Sequence, residues 1–410
     1  MERPVVEERR PACSFLPEEH VSLHRFFRVM DRRESIKQIG RTAVATVIGA
    51  NASLPDWQTE SSSDPSFNPR QTQGRVPPSE EAVLLDSNEN PLGPSPAARA
   101  VVKEAFDRSF RYPGKAYRTL LEQIAEREQV SADHIVLGTG SSEILCMAGA
   151  AYGLDGGEVV TGDPSYKGLT GYAKTMGAYI NSVPLTDALT LDLEAMDRRT
   201  TSSTSLVFVC NPNNPTGTVV EPDALRQFTQ EVSRRAVVLV DEAYYEFVDD
   251  ERQASAVDLV RDGENVIVSR TFSKLFGMAG LRIGYGIARP DIVERIKPYS
   301  MGMPNMVGLH AASESLRDAE FQEESRRKIT DARAYTEDLL DDMGMDYADS
   351  QASFVFFRTG EDIKSFQRKM TDQGVQVGRP FPPYTDWCRV SMGTMDQVKQ
   401  FESALRAVTA

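Results

Sequence analysis

The chain has 410 residues, 40% of them hydrophobic, a size and composition ordinary for a two-domain soluble enzyme. Its formal net charge of -14 argues against a nucleic-acid partner, because phosphate binding depends on clustered lysine and arginine. The four cysteines lack Cys-x-x-Cys spacing, which argues against a zinc knuckle or a disulfide framework, and we expect no metal site.

The first 82 residues differ from the rest. Residues 51 to 82 are rich in proline, serine, glutamine and charge, which predicts a polar linker. Ahead of the linker, the paired Arg32 and Arg33, followed by Lys37 and a weakly apolar stretch, resemble a twin-arginine export signal. The alternative is a short amphipathic helix of a cytoplasmic protein, so both a periplasmic and a cytoplasmic location stay open. We expect no membrane span.

From residue 84 onward, short apolar runs alternate with longer charged segments that have helical periodicity. This pattern predicts an α/β fold with a mostly parallel sheet covered by helices on both faces. The predicted strands are HIVLG at 134 to 138, SLVFVC at 205 to 210, AVVLVDE at 236 to 242 and NVIVS at 265 to 269.

The sequence after Pro304 is charged and has mostly helical periodicity, with two further strand candidates, ASFVFFR and WCRVSMG. We therefore predict a large domain over 111–303 and a smaller C-terminal domain over 304–410. Residues 83–110 are predicted to join the small domain.

Polar groups follow the predicted strands directly. NPNNPTG follows the run at 205 to 210, DEAYYEF completes the run at 236 to 242, and RTFSK follows the run at 265 to 269. Ligands of open α/β sheets collect at the carboxyl ends of the strands, so an amide, a carboxylate and an amine are expected at one edge. TGSSE follows HIVLG and opens an apolar helix, whose first backbone N–H groups, at Gly140, Ser141 and Ser142, suit a phosphate.

This set of groups suits one compact ligand. GTGSSE lacks the last glycine of a dinucleotide fingerprint, and no Walker-type lysine motif occurs, so neither a dinucleotide nor a nucleoside triphosphate is favoured. A phosphate, an aldehyde that an amine can capture, and a ring nitrogen that an aspartate can hold protonated together describe pyridoxal 5′-phosphate (PLP).

Several ordered motifs resemble the fold type I PLP-dependent aminotransferases, most closely the histidinol-phosphate aminotransferase branch. They are DSNENPLGPS, RYPGKAYRTL, NPNNPTG, DEAYYEF, SRTFSKLFGMAGLRIGYG and WCRVSMGT. The resemblance runs from about residue 84 to the C-terminus. It implies a large PLP-binding domain with a mostly parallel sheet and a smaller α+β domain.

The resemblance implies catalytic roles for three residues. Lys274 forms the internal Schiff base and, once released, moves the proton between the substrate Cα and the cofactor. Asp241 holds the proton of the cofactor ring, and Tyr244 bonds the phenolic oxygen. Arg282 lies two helical turns beyond Lys274 in the sequence and pairs with the cofactor phosphate. The remaining implied cofactor contacts are Ser141, Ser142, Thr271 and Ser273 at the phosphate, Asn214 at the phenolic oxygen, Tyr166 stacked on the ring, and Tyr112 reaching the phosphate of a neighbouring subunit.

On the substrate side, Arg389 in WCRVSMG matches the arginine that grips the anionic end of the substrate. Arg379 in VGRPFPP lies near a second substrate arginine of this branch, although its spacing is shorter than the pattern. Tyr112 implies a homodimer. The chain also departs from the family in reading Ser142 where most members have an acidic residue, and in its N-terminal extension.

The implied activity is transamination. Histidinol phosphate or an aromatic or other L-amino acid donates the amino group, and a 2-oxo acid such as 2-oxoglutarate accepts it. Two alternatives use the same fold: a PLP-dependent decarboxylase or oxidase, since the cofactor residues do not choose which bond breaks, and a non-catalytic ligand sensor.

Overall fold

The computed structural model describes residues 82–409, and the largest element of this region is a seven-stranded sheet. All of its strands run in one direction except Gly284–Ala288, which is antiparallel to both of its neighbours. In spatial order across the sheet, the strands are β2 (Ile135–Gly138), β8 (Gly284–Ala288), β7 (Val266–Thr271), β6 (Val237–Asp241), β5 (Thr204–Cys210), β3 (Glu158–Asp163) and β4 (Tyr179–Pro184).

The central strands are apolar because both of their faces are covered. Every residue of β7 is buried, and β5 and β6 are buried at nearly all positions. Valine, isoleucine and leucine dominate these strands, as expected for a parallel sheet between two helical layers. The helices connected to this sheet are α1 (Pro96–Phe106), α2 (Gly114–Glu128), α3 (Ser141–Gly153), α4 (Gly168–Thr175), α5 (Leu193–Arg199), α6 (Pro222–Val232), α7 (Val257–Arg261), α8 (Pro290–Ile296) and α9 (Met306–Ser315).

Two small sheets complete the described region. In one, β1 (Val83–Leu85) pairs in parallel with β10 (Val375–Val377), and in the other β9 (Phe354–Arg358) pairs antiparallel with β11 (Trp387–Ser391). The first sheet joins the beginning of the described chain to a point near its end. The helices of this part are α10 (Ala319–Asp342), α11 (Ile363–Asp372) and α12 (Met395–Thr409).

The predicted fold class is confirmed, and all six predicted strands coincide with observed ones: β2, β5, β6, β7, β9 and β11. The sequence reading did not identify β1, β3, β4, β8 or β10. The domain boundary at 303/304 stays a prediction. The export signal and all of the linker except its last residue lie outside the described residues. Within 82–409, no helix is both long and apolar enough to cross a bilayer.

Candidate active site

The predicted amide, carboxylate and amine lie at the carboxyl ends of three adjacent parallel strands. Asn214 follows β5, Asp241 is the last residue of β6, and Lys274 follows β7. Because β5, β6 and β7 are neighbours and parallel, their carboxyl ends meet at one edge of the sheet. The topology therefore collects these three groups as the sequence predicts.

Asp241 is a buried carboxylate held by a hydroxyl. Ser269 lies opposite it on β7, and the Ser269 hydroxyl donates a 2.5 Å hydrogen bond to Asp241 Oδ1. Burial raises the pKa of Asp241 to about 6, while the Ser269 bond acts in the opposite direction. At neutral pH the group is an anion suited to hold a cationic ring nitrogen.

Lys274 extends its amine toward the segment that follows β1. The Lys274 amine donates to the backbone carbonyl of Asn88 at 2.9 Å and, more weakly, to that of Ser87 at 3.4 Å. Burial of the amine, followed by the positive charge of Arg389, lowers the pKa of Lys274 to about 7. A large fraction of the amine is therefore neutral at physiological pH and able to act as a nucleophile or a base.

A buried polar chain connects Tyr244 to the predicted substrate arginine. Asn214 Nδ2 lies 3.5 Å from the Tyr244 hydroxyl, and Arg389 donates to Asn214 Oδ1 at 2.7 Å. The Tyr244 ring also lies beside Lys274, whose amine is 5.5 Å from the ring centroid. Burial raises the pKa of Tyr244, so its phenol stays protonated and can donate a hydrogen bond.

A cradle for an anion forms where β2 turns into α3. Gly140 has a φ of +82°, and a Cβ added there would lie 2.2 Å from an Arg282 guanidinium nitrogen. A Cβ on Gly284 would lie 2.1 Å from the Ser141 backbone nitrogen. The absence of side chains at these two glycines lets an arginine and a helix N-terminus converge, which is an arrangement suited to phosphate.

Arg282 reaches this cradle from a loop, not from a continuous helix. Its spacing from Lys274 matches two helical turns, but the residues between them form a loop ending in a short 3₁₀ turn, and Arg282 itself has a left-handed φ of 56°. Its guanidinium lies 3.4 Å from the Ser273 hydroxyl, which accepts from Thr271 at 2.9 Å. The three predicted phosphate contacts of this loop are thus in contact with one another.

Ser142, where the chain departs from the family, lies beside the predicted ring-stacking residue. Ser142 is the second residue of α3, and its hydroxyl lies 3.4 Å from the hydroxyl of Tyr166, the predicted ring-stacking residue. The neighbouring Glu143 bonds the backbone N–H of Thr139 at 2.6 Å and that of Met301 at 2.7 Å. Glu143 therefore stabilises this turn through two backbone N–H groups.

The two predicted substrate arginines share an aromatic ring. The guanidinium carbons of Arg379 and Arg389 lie 4.4 and 5.0 Å from the centroid of Phe381. Arg389 is buried, and its Nε is a buried donor without a partner among the described atoms. A donor left in this way is available to the anionic group of a substrate.

One predicted site residue lies apart from this network. Tyr112 is 95% exposed and makes no contact with the other site residues in a single chain. In addition, sequence reasoning missed Ser269, Asn88, Ser391 and Phe381. Asn88 lies in the motif DSNENP, and Ser391 follows Arg389 by two strand positions. Both residues were therefore within recognised motifs, but the motifs do not show that the two residues are in contact.

Comparison with known proteins decides the family. Residues 80–405 match the family model "Aminotransferase class I and II". This chain belongs to that family.

Two relatives share more than a third of their aligned residues with this aminotransferase. It is 37% identical over 337 residues to a histidinol-phosphate aminotransferase of Moorella thermoacetica, covering 80% of this chain and 86% of the relative. It is 39% identical over 301 residues to an aromatic amino acid aminotransferase of Mycolicibacterium vanbaalenii, covering 73% and 85%. The predicted PLP-dependent aminotransferase activity is thereby confirmed.

Solved structures agree on the fold. A histidinol-phosphate aminotransferase homologue from Erwinia carotovora atroseptica superposes with a TM-score of 0.78 at 33% identity, covering 81% of this chain and 97% of that one. The histidinol-phosphate aminotransferase of Sinorhizobium meliloti, solved with pyridoxal-5′-phosphate, superposes with a TM-score of 0.75 at 24% identity, covering 88% and 100%.

The cofactor of this aminotransferase is PLP, and the residues present fit it. The cradle at Gly140 has the donors and the space that a phosphate needs, Asp241 supplies a buried anion, and Lys274 supplies an amine of lowered pKa. The part of the chain that the structure describes contains no cluster of three or more His, Cys, Asp or Glu side chains suited to a metal ion.

The chemistry divides between the cofactor and the protein. Bound PLP supplies an electron-withdrawing ring that stabilises negative charge at the substrate Cα. The protein would supply the proton carrier and the positioning groups: the Lys274 amine is placed to accept and return a proton, Asp241 to hold the ring nitrogen cationic, and Arg389 to orient the substrate. All three act at the same sheet edge.

Proposed function

We propose that this aminotransferase takes its amino group from histidinol phosphate or an aromatic L-amino acid and passes it to a 2-oxo acid such as 2-oxoglutarate. The observation that carries the proposal is the pair of arginines on Phe381, which offers positive charge beside an aromatic wall. Relatives named for both donors support the same range.

An aromatic cluster packs behind the Phe381 ring that the two arginines share. Phe356 stacks on Trp387 at 5.1 Å between ring centroids and meets Phe381 edge-on at 6.0 Å. Tyr384 lies 6.1 Å from both Phe356 and Trp387. This packing fixes the Phe381 ring, and with it the position of the two arginines that lie on it.

Single-turnover spectra of the purified holoenzyme test the proposal. Histidinol phosphate, the aromatic L-amino acids and, as a control, L-alanine are added one at a time, and the absorbance of the bound cofactor is followed until it reaches that of its aminated form. We expect conversion with histidinol phosphate or an aromatic donor at least ten times faster than with L-alanine. Equal rates with all donors would refute the substrate proposal.

Lys274→Ala provides the control for the site. We propose that Lys274 binds the cofactor covalently. After reduction with borohydride and denaturation, the variant should therefore release all of its PLP, whereas the wild type should retain it. Turnover of the variant should fall by a factor on the order of 10³ or more. Covalent attachment in the variant would show that another lysine holds the cofactor.

We also propose that the enzyme works as a homodimer in which Tyr112 reaches the partner's site. The proposal is supported by a group of exposed apolar side chains that a second copy would cover. They are Phe106, Phe110, Tyr112, Met301 and Met303.

Mixing two inactive variants tests this arrangement. Tyr112→Ala and Lys274→Ala homodimers are each expected to be strongly impaired. A mixed dimer has one site with an intact lysine and a tyrosine from the partner, so activity should return after mixing and exchange. If Tyr112 acted within its own chain, mixing would restore nothing.

The compartment depends on the first 82 residues. We propose that the Arg32-Arg33 segment decides the compartment: the enzyme is periplasmic if this segment is a working twin-arginine signal and cytoplasmic if it is not. A reporter fused to residues 1–60 should be exported, and the double variant Arg32→Lys, Arg33→Lys should abolish export. A wild-type fusion that stays inside the cell would assign the enzyme to the cytoplasm.

A further inference from the structure

Asn88 contacts both the catalytic lysine and the catalytic tyrosine. Its backbone carbonyl accepts from the Lys274 amine at 2.9 Å, and its side-chain Nδ2 donates to the Tyr244 hydroxyl at 2.9 Å. The residue is 2% exposed, so these bonds are made away from solvent. A buried residue with this pair of contacts can set the relative position of the two catalytic groups.

The backbone of Asn88 is fixed in a conformation that most residues avoid. Its φ of 54° lies in the left-handed region, where asparagine is tolerated better than other residues with a Cβ, and glycine better still. This conformation lets one residue present its carbonyl to Lys274 and its amide to Tyr244. A local strain of this kind persists only when the surrounding contacts hold it.

Ser391 holds the amide of Asn88 in its orientation. The backbone N–H of Asn88 donates to the Ser391 hydroxyl at 2.7 Å, and that hydroxyl donates to Asn88 Oδ1 at 2.8 Å. With its oxygen occupied by Ser391, the Asn88 amide must present its nitrogen to Tyr244. Ser391 and Arg389 are two positions apart on β11 and thus point to the same face of the strand.

We propose that Asn88, oriented by Ser391, is a positioning residue that holds the Tyr244 phenol and the Lys274 amine in their working geometry and links both to the strand that carries Arg389. The inference rests on the catalytic roles proposed for Lys274 and Tyr244. The side-chain Nδ2–H of Asn88 donates to the Tyr244 oxygen, so the tyrosine's own proton points away from Asn88. This bond also makes the phenol a better hydrogen-bond donor. Without this bond the phenol is free to rotate.

The variant Asn88→Gly tests the contribution of the Asn88 side chain apart from that of its backbone carbonyl. Glycine adopts the left-handed conformation readily and keeps the carbonyl that faces Lys274, but it removes the amide that holds Tyr244. The matched variants are Ser391→Ala, which leaves Asn88 in place but unanchored, and Tyr244→Phe, alone and combined with Asn88→Gly. The charged and titratable groups around Lys274 and Tyr244 are unchanged in the asparagine and serine variants: Arg389, Arg282, Glu89, Asp241, Cys210 and Tyr166.

The primary measurement is the pH midpoint of the absorbance change of the bound cofactor, recorded for each holoenzyme without substrate. We expect Asn88→Gly to move the midpoint in the same direction as Tyr244→Phe, and Ser391→Ala to move it less. We expect kcat to fall about tenfold in Asn88→Gly with KM changed less than about threefold, because the lost bond acts through catalytic groups. The kcat of the double variant should lie within about twofold of that of Tyr244→Phe, because both changes remove the same Asn88–Tyr244 hydrogen bond.

The outcomes separate this inference from the proposed function. Midpoints of Asn88→Gly and Ser391→Ala equal to the wild type, with a shifted Tyr244→Phe, would overturn the role of Asn88 and leave that of Tyr244 intact. Fully additive effects in the double variant would also overturn it. A Tyr244→Phe midpoint equal to the wild type, or covalent cofactor in Lys274→Ala, would instead refute the catalytic assignments. If Asn88→Gly fails to fold, the Ser391→Ala midpoint decides the question.

Discussion

Two buried arginines of this aminotransferase, Arg270 and Arg389, have opposite surroundings. Arg270 donates to Glu242 at 2.8 and 2.9 Å and to Glu128 at 2.9 Å, and its guanidinium lies 4.4 Å from the centroid of Tyr245. Arg389 donates to two neutral oxygens, the Asn214 amide and the Asp86 backbone carbonyl, and its Nε has no partner among the described atoms.

The pKa directions follow from these surroundings. The carboxylates around Arg270 hold its pKa well above the usual value in spite of burial, whereas burial lowers the pKa of Arg389. A buried charge with carboxylate partners is neutralised within the protein and serves the fold. A buried charge with neutral hydrogen-bond partners is not cancelled by them and can still attract an anion. The free-energy cost of burying it is offset when an anionic ligand binds.

The largest expected effect is the loss of activity in Arg389→Gln. The variant removes the guanidinium proposed to bind the substrate anion, so kcat/KM should fall by a factor on the order of 10³, with KM rising. Its free energy of unfolding should change less than in Arg270→Met, because Arg389 donates to neutral oxygens and not to buried carboxylates. Arg389→Lys, which keeps the charge but not the planar fork, should recover part of the activity. A loss of stability comparable with that of Arg270→Met would contradict the comparison.

Arg270→Met should show the reverse pattern. It leaves Glu242 and Glu128 buried without their partner, so the free energy of unfolding in urea should fall by about 3–5 kcal/mol. Activity per folded molecule should stay within about threefold of the wild type, because Arg270 points to the opposite face of β7 from Ser269 and Thr271. Adding Glu128→Gln and Glu242→Gln should restore part of the lost stability. A triple variant less stable than the single one would contradict this account.

Besides burial, the positive charge of Arg389 contributes to the lowered pKa of the Lys274 amine. In the cofactor-free protein, the rate of PLP capture should rise about tenfold from pH 6 to pH 8, because the neutral amine becomes the major form above a pKa of about 7. In Arg389→Gln the midpoint should move to higher pH, since a positive charge that disfavours the ammonium form is gone. In Arg270→Met it should stay in place. Stopped-flow absorbance measures all three, and a fixed midpoint in Arg389→Gln would show that burial alone sets it.

The smallest effect is expected from Ser269→Ala. Cofactor affinity in the wild type should weaken as pH falls through about 6, because protonated Asp241 no longer attracts a cationic ring nitrogen. Removing the Ser269 hydroxyl should raise the pKa of Asp241 by about one unit, which weakens affinity about fivefold at pH 6 and much less at pH 8. Equilibrium dialysis across this pH range is the measurement. A uniform loss at all pH values would indicate a packing defect, for which Ser269→Thr is the control.

The sequence predicted the parts of this molecule that depend on pattern. The apolar runs at β5, β6 and β7 are long enough to read as buried strands, and the sheet rule then placed Asn214, Asp241 and Lys274 together. It could not predict contacts between distant segments. Asn88 and Ser391 are brought together by the pairing of β1 with β10 and of β9 with β11, and no local periodicity encodes such pairings.

The same limit explains Arg282. Its spacing suggested a helix, but a left-handed residue and a 3₁₀ turn bring it to the cradle instead, as tertiary contacts with Gly140 require. Tyr112 marks the other boundary of prediction, because its proposed role depends on a second chain.

The strand β1 has a consequence for biosynthesis. Val83–Leu85 pairs with Val375–Val377, and the residues just beyond it bring Asp86 and Asn88 to Arg389 and Ser391. A nascent chain emerging from the ribosome can assemble the central sheet and expose Lys274 well before residue 391 has been translated. The site that surrounds the lysine is completed only when the last strands arrive, so an unfinished or truncated polypeptide carries the amine without the groups that direct its reactivity.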